Sequence, residues 1–96
     1  MRRLPPVEIS FDPVKSERNR RERGLPFERA VDFDFGTAMI RPTFRNGEER
    51  REALGYLDDR LHLLCYKRIA EDHVRVISFR RANEREAKRY GAALRR

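Results

Sequence analysis

Apolar positions along the chain change rhythm several times, and each change predicts an element. Val7-Glu8-Ile9-Ser10-Phe11 alternates apolar and polar, the period of a half-buried strand, so the sheet is expected to begin there. Asp12-Pro13 then reads as an N-cap and first helical residue, and Gly24 as a C-cap, which predicts a first helix over Pro13–Arg23. Val14 is the one aliphatic residue of that helix, so it must dock by something other than apolar burial. Phe27, Ala30 and Val31 follow at helical spacing, with Phe33 and Phe35 behind them and Gly36 closing the element. They predict a second short helix that supplies core.

A short apolar run from Thr37 to Ile40 precedes an Asn46-Gly47 step, a hairpin signal. Three strand candidates come next, Glu49–Leu57, Leu61–Ile69 and Val74–Phe79, joined by Asp58-Asp59-Arg60 and Ala70-Glu71-Asp72. Such short polar links imply an antiparallel meander. The last of the three is apolar on both faces at its middle, as a buried central strand is. Asn83 with Glu86 three residues on is a capping-box start, and Ala87, Tyr90 and Leu94 make a stripe on a C-terminal helix. The expected fold is α+β in the order βααββββα: an antiparallel sheet of about four to five strands, two N-terminal helices and a C-terminal one. Residues 1–96 are expected to form a single domain, since two cores would leave neither enough surface to bury.

Charge narrows the function. Charged residues make up 41% of the chain against 39% hydrophobic, and the formal net charge is +7, which favours a polyanion over a neutral or acidic small substrate. Much of the excess is clustered in Arg18-Asn19-Arg20-Arg21-Glu22-Arg23 and Arg80-Arg81-Ala82-Asn83-Glu84-Arg85. The single cysteine, Cys65, excludes an internal disulfide and a cysteine zinc cage, and core packing is its expected role. No apolar run is long enough to span a bilayer and no signal core precedes the domain, so a soluble cytoplasmic protein is expected.

The chemistry open to these residues is limited. There is no glycine-rich phosphate loop and no metal-ligand spacing, so neither a metal nor another cofactor is expected; the two histidines, His62 and His73, fall in different elements. Arginines remain, and their planar forks bind phosphate at two points. RNA can be cut without metal when the 2′-hydroxyl attacks the neighbouring phosphate, provided fixed cations neutralise the more negative transition state. A carboxylate of Glu48-Glu49-Arg50, with Glu49 the leading candidate, could accept the 2′-hydroxyl proton; a solvated acid pair is the competing reading.

These residues carry a resemblance. Phe11-Asp12-Pro13-x-Lys15, Asn19-x-x-x-x-Gly24, Phe27-Glu28-x-Ala30, Gly47-Glu48-Glu49-Arg50, Arg75-x-Ile77-Ser78-x-Arg80-Arg81-Ala82, and Glu86 with Tyr90 occur in an order that resembles the BrnT toxins. That family is similar in fold to the RelE toxins. The resemblance implies RNA cleavage that halts translation, and a complex with a cognate BrnA-like antitoxin of ribbon-helix-helix fold. It makes Arg50 and Arg80 the first choices for phosphate and transition-state contacts. Arg81, Arg75, Arg20, Arg21 and Lys15 are then expected to bind RNA. Relatives carry Lys-His before the glycine where this chain has Glu22-Arg23, so Arg23 is the stand-in for the lost cation. Pro26 replaces the usual capping Ser or Thr.

Strict alternation would place Ser78 and Arg80 on one face of their strand and Arg75 with Arg81 on the other, unless a bulge intervenes. Two other functions stay open on sequence grounds: a toxin-like domain that binds RNA or an antitoxin without cutting, and a basic DNA-binding or structural accessory protein.

Overall fold

The structure, a computed structural model, describes residue 6 and residues 8–94. Two turns of positive φ organise its sheet: Asn46-Gly47 (φ 51° and 76°) and Asp58-Asp59 (φ 50° and 65°). Each is a two-residue link whose twist matches that of the strands it joins. Around them run β2 (Met39–Arg45), β3 (Glu48–Leu57), β4 (Arg60–Ala70) and β5 (His73–Arg81), an antiparallel meander. The strand β1 (Glu8–Ser10) pairs with the start of β5 in parallel, giving the order β1-β5-β4-β3-β2. The α+β class holds, but the sheet is mixed where an antiparallel one was expected. Val7, expected to open β1, lies outside the described residues.

The helices differ from expectation for a steric reason. Helix α1 covers Pro13–Arg23 and α2 covers Glu84–Leu94, but Phe27–Asp32 forms a 3-10 helix, so the chain has one α-helix before the meander where two were expected. A 3-10 helix repeats every three residues. Phe27, Ala30 and Phe33 are therefore buried in succession, while Val31 is turned out to 66% exposure. On α2 the buried residues are Glu86 and Tyr90, and the expected stripe partner Leu94 is exposed.

One face of the sheet carries most of the core. Leu64, Tyr66, Val74, Val76 and Phe79 meet Phe27, Phe33, Phe35 and Leu25 there, with edge-on ring contacts such as Phe33–Phe79 at 6.0 Å. Gly55 lies in that layer because nothing larger fits: a Cβ would come within 2.9 Å of the Ala38 Cβ and the Phe33 ring. The opposite face has a smaller cluster, Leu54, Leu63 and Tyr90, beneath α2.

Helix α1 answers the question its sequence raised. Val14 is 69% exposed and contributes no burial. Instead the buried Ser16 hydroxyl accepts the Phe27 N–H (2.9 Å), and the Asn19 amide donates to the carbonyls of Leu25 (2.6 Å) and Phe79 (2.8 Å). Asp12 caps the start and Gly24, at φ 67°, ends the helix in the left-handed conformation. Asn19 thus ties the helix end to its own exit loop and to the middle of the sheet. This accounts physically for the Asn19-to-Gly24 spacing.

Candidate nucleic-acid interface

Period two along each strand decides which charged residues share a face. From Leu54 under α2, the uncovered part of the second face continues along β3 through Glu52, Arg50 and Glu48. Register then sets Arg41 and Arg45 of β2 opposite Glu52 and Glu48, and Cys65 of β4 opposite Glu52. On β5, Ser78 pairs with Cys65, Val76 with Tyr66 and Arg75 with Lys67. Ile77 is left over as a bulge, so the alternation slips by one residue. The bulge brings Arg75 onto the face of Ser78 and Arg80 and leaves Arg81 on the other, the relaxation that strict alternation forbade.

The result is an open cationic surface in which Arg41, Arg45, Arg50, Lys67, Arg75 and Arg80 outnumber the carboxylates Glu48 and Glu52. Lys67 donates to Glu48 (2.9 Å) and holds its carboxyl below the ordinary range. Arg41 donates from two nitrogens to the Glu52 Oε1 (3.2 and 3.0 Å). Arg50 is half-buried, and its Nε, 3.5 Å from Glu48, is enclosed without a hydrogen-bond partner. A buried donor in that state is costly and is relieved by an acceptor. Burial pushes the Cys65 thiol up, and Glu52 adds to the effect; Cys65 is half-buried on this surface, not in the core as expected.

Arg80 is differently placed. Its two terminal nitrogens clamp the Glu86 carboxylate at 2.9 and 2.8 Å, and Glu86 completes the capping box by accepting the Asn83 N–H while Asn83 accepts that of Glu86. The Arg80 guanidinium beside it holds the Glu86 carboxyl below its ordinary value. Tyr90 finishes the attachment of α2 by donating to the Thr37 carbonyl (2.8 Å). The sequence motif of Arg80, Glu86 and Tyr90 is in this respect a clamp for α2.

The structure divides the expected site residues. Arg50, Arg75 and Arg80 share the open face. Glu49 does not: it lies one residue from Arg50 and so faces the other way, beside Arg51 (3.8 Å). Residues two apart share a face, so the carboxylates beside Arg50 are Glu48 and Glu52; the spacing itself carried that signal, and it was missed. Arg23 and Arg81 line a cleft of about 700 Å³ at the far end of β5, together with Arg80, Arg29, Arg60 and His62. Arg23 reaches it because it stands seven residues after Ser16 and four after Asn19, on the docked side of α1. Lys15, Arg20 and Arg21 are exposed on α1 and line neither surface, Arg20 being paired with Glu17. His73 bonds Ser10 (2.8 Å) and anchors β1. Among the described residues, no three His, Cys, Asp or Glu side chains converge as a metal site would require, and no helix is long and apolar enough to cross a membrane.

Comparison with known proteins gives two matches. A family model, described as the ribonuclease toxin BrnT of type II toxin-antitoxin systems, matches residues 11–86, from the residue before the α1 cap to Glu86. The crystal structure of the Brucella abortus ribonuclease toxin BrnT is similar, with a TM-score of 0.65 and 25% identity, over 80% of this chain and 97% of that one. No curated protein sequence matches the chain.

Proposed function

The chain belongs to the BrnT family of ribonuclease toxins of type II toxin-antitoxin systems, and from that premise we propose that it cuts RNA on the open arginine face without a metal ion, and is silenced by an antitoxin. The observation that carries the reading is the half-buried Arg50 at the middle of an open surface where cations outnumber carboxylates. The Arg50 guanidinium, held 3.5 Å from Glu48 at its Nε, presents its remaining N–H groups to a phosphodiester oxygen.

In this reading the RNA backbone lies across β3, β4 and β5, with Arg50 on the non-bridging oxygens of the scissile phosphate. The 2′-hydroxyl attacks phosphorus, the bond to the 5′-oxygen breaks, that oxygen leaves as a 5′-hydroxyl with a proton from solvent, and a 2′,3′-cyclic phosphate remains. Glu52 takes the 2′-proton in place of Glu49, since its Oε2 is not engaged by Arg41. Arg75 and Lys67 bind flanking phosphates. Arg80 acts through Glu86, as a positioning residue that fixes α2 at the rim. The partner, a BrnA-like antitoxin of ribbon-helix-helix fold, silences the toxin by covering this cationic face, and translation stops when it is uncovered.

The test is incubation of antitoxin-free, folded protein with RNA in the presence of a chelator. Cleavage with cyclic-phosphate ends is expected, and substrate with 2′-deoxy linkages should survive. Intact RNA would leave binding without cutting as the function.

A further inference from the structure

The cleft at the end of β5 is separate from the open face, although the two meet there. Arg80 and Arg81 are consecutive and turn to opposite sides of the strand, so one arginine set begins where the other ends. Within the cleft, Arg29 is engaged by Asp58 (2.7 Å) and Asp32, and Arg80 by Glu86. Arg23, Arg60 and Arg81 are exposed, and among the described residues no carboxylate lies within ion-pair distance of them. Three uncommitted guanidinium groups thus rim one concavity whose floor includes the buried Leu25 and Leu57. An apolar floor under a cationic rim fits a flat base and its phosphate better than a bare anion, and the volume lies in the usual range of ligand pockets, about 300–1,000 Å³.

His62 adds a hydrogen-bonding atom of known polarity. It is buried in the cleft wall against the Phe79 ring, and its Nδ1 lies 2.9 Å from the Arg60 carbonyl oxygen. A carbonyl only accepts, so Nδ1 carries the proton and Nε2 of the neutral ring is the acceptor. The cluster of basic residues in the last turn of α1 offsets the negative end of that helix.

We propose that this cleft is a nucleotide subsite for single-stranded RNA: one base rests on Leu25 and Leu57 beside His62, and its phosphate sits among Arg23, Arg60 and Arg81. The subsite rests on the reading of the protein as an RNA binder, but not on cleavage. It holds a nucleotide flanking the scissile bond, so that a strand crosses the end of β5 from the open face into the cleft.

The chain contains only two histidines, which makes the test direct. The imidazole NMR signals are followed while uridine 3′-monophosphate is added, with inorganic phosphate as the control. A saturable shift of His62 with nucleotide, little change at His73, and loss of the response in a folded Arg60→Ala/Arg81→Ala variant are expected. An unmoved His62, or an equal shift with phosphate alone, overturns the subsite. In a second measurement, a 2′-O-methyl oligoribonucleotide that cannot be cut is bound at several salt concentrations. Loss of that one phosphate contact should flatten the log–log salt dependence by about 0.7; an unchanged slope in the double variant counts against the proposal. Protein that cuts RNA but fails both measurements loses the subsite and keeps the activity. Protein that passes both but never cuts loses the catalytic reading alone.

Discussion

The two faces of this sheet are built from neighbouring residues of the same strands, yet they serve opposite ends. The face under α1 and the 3-10 helix is closed by Phe27, Phe33, Phe35, Tyr66 and Phe79, each no more than 4% exposed. The other face is closed only where α2 crosses it, over Leu54, Leu63 and Tyr90, and the rest is open arginine, lysine and glutamate. A lean core is sufficient because it is concentrated on one side. That concentration frees the second side to carry a density of positive charge that would be intolerable if buried. Away from the cleft at the end of β5, stability and function are thereby separated by the width of a strand, and substitutions there should sort by face.

The largest effect is expected on the closed face. Phe33→Ala removes a ring that packs on Phe35 and Phe79, and should cost about 3–5 kcal/mol in chemical denaturation. The folded fraction should still bind RNA as before. Gly55→Ala is a smaller insult to the same layer: the added methyl meets Ala38 and Phe33, and about 1–3 kcal/mol of destabilisation is expected. Smaller again is the clamp on the open side. Glu86→Gln keeps the side-chain shape but loses the charge facing Arg80, and should cost about 1–2 kcal/mol near neutral pH. Because the folded protein holds the Glu86 carboxyl below its ordinary 4.5, its contribution is present above that range and lost as pH falls through the depressed value. The gap between wild type and Glu86→Gln should therefore close in acid, which denaturant melts across pH would show. A gap that persists in acid would place the role of Glu86 in packing instead of charge.

The closed face was the more legible of the two in the sequence. The meander was visible because its links are short and its apolar runs have strand length, and α1 because both of its caps are strong signals. Three features were hidden. The 3-10 helix reads as an α-helix because Phe27, Ala30 and Val31 fit the α period, and the burial of Phe33 with the exposure of Val31 marks the three-residue one. The parallel pairing of β1 depends on where a three-residue strand lands, which no local pattern encodes. The bulge at Ile77 was the third, and it mattered most, because an apolar Val76-Ile77 pair reads as a doubly buried strand until one of the two is ejected from the register. Without that slip Arg75 would stand on the wrong face. Glu49 stands out in the sequence for its place near a strand start, but a strand turns successive residues to opposite faces, so Glu49 points away from the face of Arg50 and Glu48 and Glu52 share it. The family resemblance puts Arg50 and Arg80 forward together, and the side-chain geometry separates them: the Arg50 Nε has no hydrogen bond and lies 3.5 Å from Glu48, whereas Arg80 is clamped on Glu86.

Arg50 and Arg51 offer the most direct trial of the account. They are adjacent, both half-buried and both within ion-pair distance of a glutamate, but Arg50 points to the open face and Arg51 to the closed one. Alanine is placed at each in turn and RNA cleavage is measured on folded, antitoxin-free protein. The account predicts a loss of about 10²–10³-fold for Arg50→Ala, the scale of removing one transition-state donor. For Arg51→Ala it predicts a change of no more than a few-fold. Equal losses at the two positions, or a larger one at Arg51, would contradict it.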